Sequence, residues 1–452
     1  MNSLRFRSSL PVLLGSVLAA ALAGAPAMGD SFILRTAPAS AMAVADRHGL
    51  SILRPLSDQN RGLFLVTGPG TVPADQLASE VRGDADVIEF EPNRDIVVPE
   101  SPRVLSAGLT QSTVHILDAV ADRRLVNFFG ASARNAYVNQ PAAALVRSAR
   151  AQQNLKTTGL GIVAIIDTGI DPTHPVLKDS LVPGYDFVRD VPGLPDERSD
   201  LDQSTVHILD QSTVHILDPY TVKPLNGATL AFLDQTTASQ LDAAQLPAAF
   251  GHGTMVAGIV HLMAPTASIM PLKAFRSDGS TDVFMILRAI YFAVDNGARV
   301  INMSFSLPAY SNELMKAMNY ATSRGVICVA STGNDGKETL AFPASFQNVI
   351  GVSSTNALDQ RSAFSNYGAA LADISAPGEE IITTYPGGLY AAAWGTSFST
   401  PFVSGASALL NDAKPGIGQA DAAAALSHGV KVGSDLGLSR LDVYSAVSRF
   451  GK

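Results

Sequence analysis

GIVAIIDTG, residues 161–169, is a nearly unbroken apolar run closed by an aspartate and a glycine. A strand with one wet face alternates apolar and polar residues, and this one does not. The run predicts a strand buried on both faces, as in a parallel sheet covered by helices on either side. Asp167 then falls at the strand's carboxyl end, where such sheets gather their functional groups. A carboxylate there loses its water and needs a strong donor, for which an imidazole N–H is well suited.

Downstream, helix and strand patterns alternate. VFMILRAIYFAVDNGA predicts a helix, because Phe284, Leu287, Tyr291 and Val294 keep three- and four-residue spacing and Gly297 ends it. ARVINMSF reads as strand, NELMKAMNYATSRG as helix, and VICVAST, NVIGVSS and EEIITTY as strands. This order predicts an α/β fold with a mainly parallel central sheet and helices on both faces. Upstream, residues 31–100 predict a small α+β unit with strands at SFILRT, GLFLVTG and DVIEFEPN and a helix at ADQLASEVRG. Residues 101–136 show no sustained periodicity and read as a linker. The large unit runs from 137 to 452, with an inserted surface excursion at about 191–250 where the alternation breaks.

The 452 residues carry 32 basic and 40 acidic side chains, with 46% hydrophobic content. That balance excludes a disordered chain and a non-specific nucleic-acid binder. The single cysteine, Cys328, allows no internal disulfide and reads as a buried small hydrophobe. At the start, Arg5 and Arg7 precede an apolar stretch and the small-residue pattern Ala25-Pro26-Ala27. This predicts a signal peptide over 1–27 and export to the periplasm or outside, with no membrane attachment afterwards.

Two further segments expose reactive residues. In GHGTMVAGIVHLM, His252 stands between glycines and opens a helix; in WGTSFSTPFVSGASALL, Ser397 opens another, with Pro401 expected in its first turn. A serine hydroxyl needs a base within hydrogen-bond reach, and the base needs an orienting acceptor. Asp167, His252 and Ser397 supply those three roles. STGNDG sets Asn334 in a glycine-flanked loop after a strand, where its amide can donate to an oxyanion beside the Ser397 N–H.

The segments IIDTGIDPTHP, HGTMVAGIV, INMSFS, GND, ISAPG and GTSFSTPFVSGASALL, in that order, resemble the motif set of the subtilisin-like serine proteases. The resemblance covers about 137–450. It implies a subtilisin-like three-layer fold and a secreted endopeptidase acting on proteins or peptides through an acyl-enzyme. Asp167 would orient, His252 act as general base and acid, Ser397 attack and Asn334 stabilise the oxyanion. Ser304-Phe305-Ser306 would pair with the substrate backbone, with Ser331-Thr332-Gly333 across the primary specificity pocket. Residues 28–100 resemble the family's inhibitory propeptide, so a self-processing monomeric precursor is expected, its own propeptide being a partner.

The chain departs from the family in places. Many members carry a calcium-binding carboxylate two residues after HP; here that position is Val176, so no metal site and no cofactor is expected, calcium staying open through Asp179. The substrate-edge motif ends in Ser306 where glycine is usual. Asp335 beside the oxyanion asparagine is placed at the pocket rim or in a solvated loop. His174 and His261 read as structural.

The octapeptide QSTVHILD occurs at 111–118, 203–210 and 211–218. Ser204 and His207 are an odd number apart, so in a strand they point to opposite faces and cannot form a local triad. A metal site from His115, His207 and His215 would need two distant segments to meet. The repeat reads as a loop expansion, or as a layer serving specificity or self-association. The rival function is a non-catalytic secreted binding or adhesion protein that keeps the fold and uses these repeats.

Overall fold

The computed structural model describes residues 30–57, 61–98, 122, 124–201, 223–226, 229–232 and 246–450, with 223–226 and 229–232 as backbone only. The signal segment and all three octapeptides lie outside the described residues. The N-terminal unit contains β1 (Ser31–Thr36), β2 (Ser51–Pro55), β3 (Leu63–Thr67) and β4 (Val87–Pro92), an antiparallel sheet of order β2-β3-β1-β4. Helices α1 (Ala41–His48) and α2 (Ala74–Arg82) cover one face. Successive side chains of β1 take opposite sides. Phe32 and Leu34 join Val44, Leu77 and Phe90 in the unit's own core. Ile33 instead joins a cluster that belongs mostly to the large unit. SFILRT lacks polar alternation because both its faces are covered. The sequence reading missed α1 and β2.

The rest of the chain is built on a second sheet. Its strands are β8 (Ile162–Asp167), β9 (Gly184–Asp186), β10 (Val191–Gly193), β13 (Ser268–Lys273), β15 (Ala298–Met303), β16 (Ile327–Ser331), β17 (Ile350–Thr355) and β18 (Ile374–Pro377). Among the described residues the order is β10-β9-β13-β8-β15-β16-β17-β18, parallel throughout except for the β10–β9 edge. Val163 and Ile165 of β8 pack on one side with α3 (His252–Met263) and α6 (Thr396–Ala413). Ala164 and Ile166 pack on the other with α4 (Val283–Asp295) and α5 (Asn312–Ser323). The unbroken apolar run of β8 is the sequence trace of this double burial. Helices α3 and α6 touch closely: a Cβ on Gly405 would lie 2.4 Å from the Met263 Cβ, so only glycine fits that crossing.

The helices differ in how they begin. Asp282 caps α4 by accepting the Met285 N–H at 2.8 Å, and Ser311 caps α5 by accepting the Leu314 N–H at 3.0 Å. Gly251 and Gly395 precede α3 and α6 and offer no side chain, so the first N–H groups of both helices are left for other partners.

Three sequence expectations are corrected. EEIITTY is a strand, β19 (Ile381–Tyr385), but it lies in a separate antiparallel sheet with β20 (Leu389–Ala393), β12 (Thr229–Phe232) and β11 (Lys223–Asn226). The end of the supposed linker is ordered as a hairpin, β6 (Leu125–Phe128) and β7 (Ala131–Arg134), with Phe128 and Ala133 packed against Tyr137 and Leu262. The excursion begins later than 191: Val191–Gly193 completes the sheet edge, and Glu197 is fully buried. The two ends of the stretch left after Leu201 are fastened to one turn. Ser277 N–H donates to Asp200 at 2.7 Å, and Ala249 N–H donates to the Ser277 carbonyl at 3.0 Å.

The N-terminal unit sits on α4 and α5. Arg35 meets Glu313 at 2.5 Å, Arg61 meets Asp295 at 2.5 Å, Lys316 meets Glu89 at 3.1 Å, and Asp190 takes both Arg54 and Arg288. Glu91 and Asn93, from the segment DVIEFEPN, accept the N–H groups of Asn312 and Phe284 at the starts of α5 and α4. The chain continues as β5 (Asp95–Val97), antiparallel to β14 (Ser280–Asp282), with Val98 N–H donating to the Gly279 carbonyl at 3.0 Å.

Candidate active site

Asp167 ends β8 and is 2% exposed. Its Oδ1 accepts the Thr168 N–H at 2.8 Å and lies 2.7 Å from His252 Nδ1. A carboxylate oxygen can only accept, so Nδ1 carries the proton and Nε2 is the basic nitrogen. The close approach of α3 to β8 depends on Gly253, where a Cβ would fall 2.1 Å from the Gly169 carbonyl oxygen. The glycine after the histidine is thus a packing requirement. The imidazole lies against Phe398, ring centroids 5.5 Å apart.

Ser397 is fully buried in the first turn of α6, beside Phe398. Its Oγ–H donates to the Ser304 carbonyl at 3.0 Å, and the Ser304 Oγ–H donates back to the Ser397 carbonyl at 2.9 Å. The second bond answers the proline. The helix already runs at Thr396, so Pro401 stands in the second turn rather than the first. Its missing N–H leaves the Ser397 carbonyl four residues back without its helical donor. Ser304 supplies that donor and ties the serine to the strand end after β15.

Asn334 leaves the loop after β16. Its Oδ1 accepts both the Thr396 N–H at 2.9 Å and the Thr396 hydroxyl at 2.8 Å, which fixes the amide's orientation and turns its NH2 group away from Thr396. The loop itself is held by Asn366, whose Oδ1 accepts the Asp335 and Lys337 N–H groups at 2.9 and 3.2 Å and whose Nδ2 donates to the Thr332 carbonyl at 3.0 Å. Ser331 Oγ donates to the Phe305 carbonyl at 3.3 Å, joining the segments 304–306 and 331–333. A Cβ on Gly333 would lie 2.9 Å from Ser306 Oγ, so the serine hydroxyl occupies the gap between the two segments.

The remaining sequence candidates fall as follows. Val176 is buried in an apolar cluster with Phe128 and Tyr137, and Asp179 is exposed. His174 is buried, with Nε2 3.0 Å from the Leu389 carbonyl; burial lowers its pKa. His261 is buried against Ser180 Oγ at 3.1 Å, and burial pushes its pKa down to about 4, so it stays neutral. Asp335 is exposed. Sequence reasoning missed β14, whose edge pairs with β5, and missed Asn366 and Glu197. Gly279, opening the turn into Ser280–Asp282, was the available signal for β14; Glu197 in LPDERSD looks like any solvated loop charge.

Residues 161–444 match the Subtilase family (peptidase S8). The chain is 34% identical over 248 residues to a thermophilic serine proteinase of Bacillus sp. (strain AK1), covering 55% of this chain and 51% of that protein. It therefore spans about half of that relative's length. It is 31% identical over 258 residues to thermitase of Thermoactinomyces vulgaris, covering 55% of this chain and 74% of that one. In fold it is similar to fervidolysin from Fervidobacterium pennivorans, described as a keratinolytic enzyme related to subtilisin. The TM-score is 0.65 at 19% identity, over 93% of this chain and 61% of the other.

Proposed function

The chain belongs to the subtilase family, and from that premise we propose that it is a secreted serine endopeptidase made as a self-processing precursor. The observation that carries this reading is the buried 2.7 Å contact between Asp167 and His252, whose helix packs against the one that carries Ser397 in its first turn. In the proposed cycle the Ser397 hydroxyl leaves the Ser304 carbonyl and passes its proton to His252 Nε2 as Oγ bonds to the substrate carbonyl carbon. The oxyanion so formed takes hydrogen bonds from the Asn334 amide and the Ser397 N–H. The partial positive charge at the start of α6 adds to both. His252 returns the proton to the leaving amine, and water then cleaves the acyl-enzyme by the same route in reverse. Asp167 stabilises the imidazolium each time it forms.

The propeptide reading is supported by the N-terminal unit's position. Its last described residues, Asp95–Val98, lie along the β14 edge, with Ile96 and Val98 buried. In this reading the chain's own segment occupies the edge that an added substrate strand would use. Export rests on the N-terminal sequence pattern, and no helix among the described residues is long and apolar enough to cross a membrane. The test is to map the N-termini of the purified protein and its Ser397→Ala variant side by side and to assay a small peptide ester. Trimmed, active wild type beside an untrimmed, inactive variant is the expected pair. Equal trimming and equal hydrolysis in both would end the proposal.

A further inference from the structure

The helix that carries His252 begins on glycine, yet its first N–H groups are all answered. His252 N–H reaches the Ala249 carbonyl at 3.1 Å, and Gly253 N–H reaches Thr168 Oγ1 at 3.0 Å. The other two donors converge on one distant side chain. Glu197 Oε1 accepts the Thr254 N–H at 2.8 Å and the Thr254 hydroxyl at 3.2 Å, and Oε2 accepts the Gly251 N–H at 3.3 Å. Glu197 is 0% exposed. A wholly buried carboxylate is costly unless it is bonded and usefully placed. We infer that Glu197 is a positioning residue for His252: its carboxylate caps the helix bearing the imidazole and sets a second negative charge behind the Asp167–His252 pair.

The network supports both halves of the inference. Thr168 bonds Asp167 on one side and Gly253 on the other, so the caps of α3 and the orienting carboxylate share one framework. The charged and titratable groups facing Glu197 are Lys273 at the end of β13, Asp167 at the end of β8 and Tyr385 on β19. Lys273, fully buried, is 3.0 Å from Asp200, so its charge is shared and does not cancel Glu197 alone. Burial pushes the Glu197 carboxyl up to about 7 and the Asp167 charge adds to this, while Lys273 and the Thr254 N–H pull down. A raised carboxyl favours the fold most in acid. That contribution is lost as pH rises from the ordinary value of 4.5 through about 7. Above about pH 7 the buried charge therefore costs stability.

The inference rests on the reading of His252 as general base, and the experiment separates the two. The full-length protein is compared with Glu197→Gln, which loses the charge and keeps one of the two acceptors, and Glu197→Asp, which keeps the charge and shortens the reach. Measured are kcat and KM for a peptide ester from acid to alkaline pH, fluorophosphonate labelling of the serine, and Tm at alkaline pH. Glu197→Gln should move the acid limb of kcat/KM down by about half to one pH unit, with KM unchanged. Glu197→Asp should keep the limb and lose roughly 10- to 100-fold in kcat through a displaced imidazole. A glutamine variant with wild-type kcat and limb overturns the inference; if that variant cannot be produced folded, an aspartate variant with wild-type kcat does so. Wild type that takes no label would overturn the His252 reading and this inference together, whereas labelled wild type with indifferent variants overturns this inference alone.

Discussion

The face where the N-terminal unit rests on α4 and α5 and the rim where His252 meets Asp167 are both polar regions, built in opposite ways. The first is a set of charge pairs between separate units: Arg35 with Glu313, Arg61 with Asp295, Lys316 with Glu89. Its partners keep part of their surface in water, except Glu313, which is fully buried. The second is nearly dry, with Asp167 and His252 each 2% exposed, and backbone N–H and carbonyl groups saturate it. Charge pairs at a face between units are screened by salt and can be exchanged for water at moderate cost. A network woven from backbone donors cannot be opened without unfolding the strands and helices that supply them. Of the two, the face between units is the one that can open without unfolding its elements.

The comparison can be broken at the rim first. Ser397→Ala should lower kcat by at least about 10⁴-fold and leave Tm near wild type, as read by ester hydrolysis and thermal melting. A variant that melted early would show that Ser397 also supports the fold. Asn334→Ala should cost roughly 10²- to 10³-fold in kcat with little change in KM, since the proposed partner of its NH2 group is the developing oxyanion while its Oδ1 holds Thr396. At the other face, Arg35→Ala leaves Glu313 buried with Lys316 as its remaining cation. A loss of about 3 kcal/mol in docking, or about 10²-fold, should appear as faster emergence of activity from the precursor, without change in the mature kcat. The smallest effect belongs to Asp84 inside the N-terminal unit. The Asp86 N–H, then His48 and Arg47, hold its carboxyl down to about 2. Its stabilising contribution is present above the ordinary 3.8 and is lost as pH falls through about 2. Asp84→Asn should flatten that acid loss in a pH series of circular dichroism and leave hydrolysis untouched.

Much of this architecture was legible because burial writes itself into composition. The apolar run of β8, the three-and-four spacing of α4 and the glycines around His252 each have one physical explanation, and the structure supplies it. Where the reading failed, the signal was absent or misleading. SIMPLK, with Pro271 inside it, gave no strand in the sequence reading. Yet β13 is central, and the proline is tolerated because the ladder to β9 begins only at Leu272. EEIITTY looked like one more parallel strand, since alternation says that a strand exists and not which sheet it joins. Glu197 and Lys273 are charged residues with no exposure, and nothing in a single sequence distinguishes a buried charge from a solvated one. The site residues drawn from the motifs came together around His252, Ser304 and Thr396; the residues that hold them there, Asn366 and Glu197, did not show in the sequence.

The central claim is that Asp167, His252 and Ser397 act as one unit, and the most direct measurement is peptide mapping after treatment with a fluorophosphonate. A single adduct on Ser397, formed far more slowly in His252→Ala, is the predicted result. An adduct elsewhere, or Ser397 labelled equally fast without the imidazole, would contradict it.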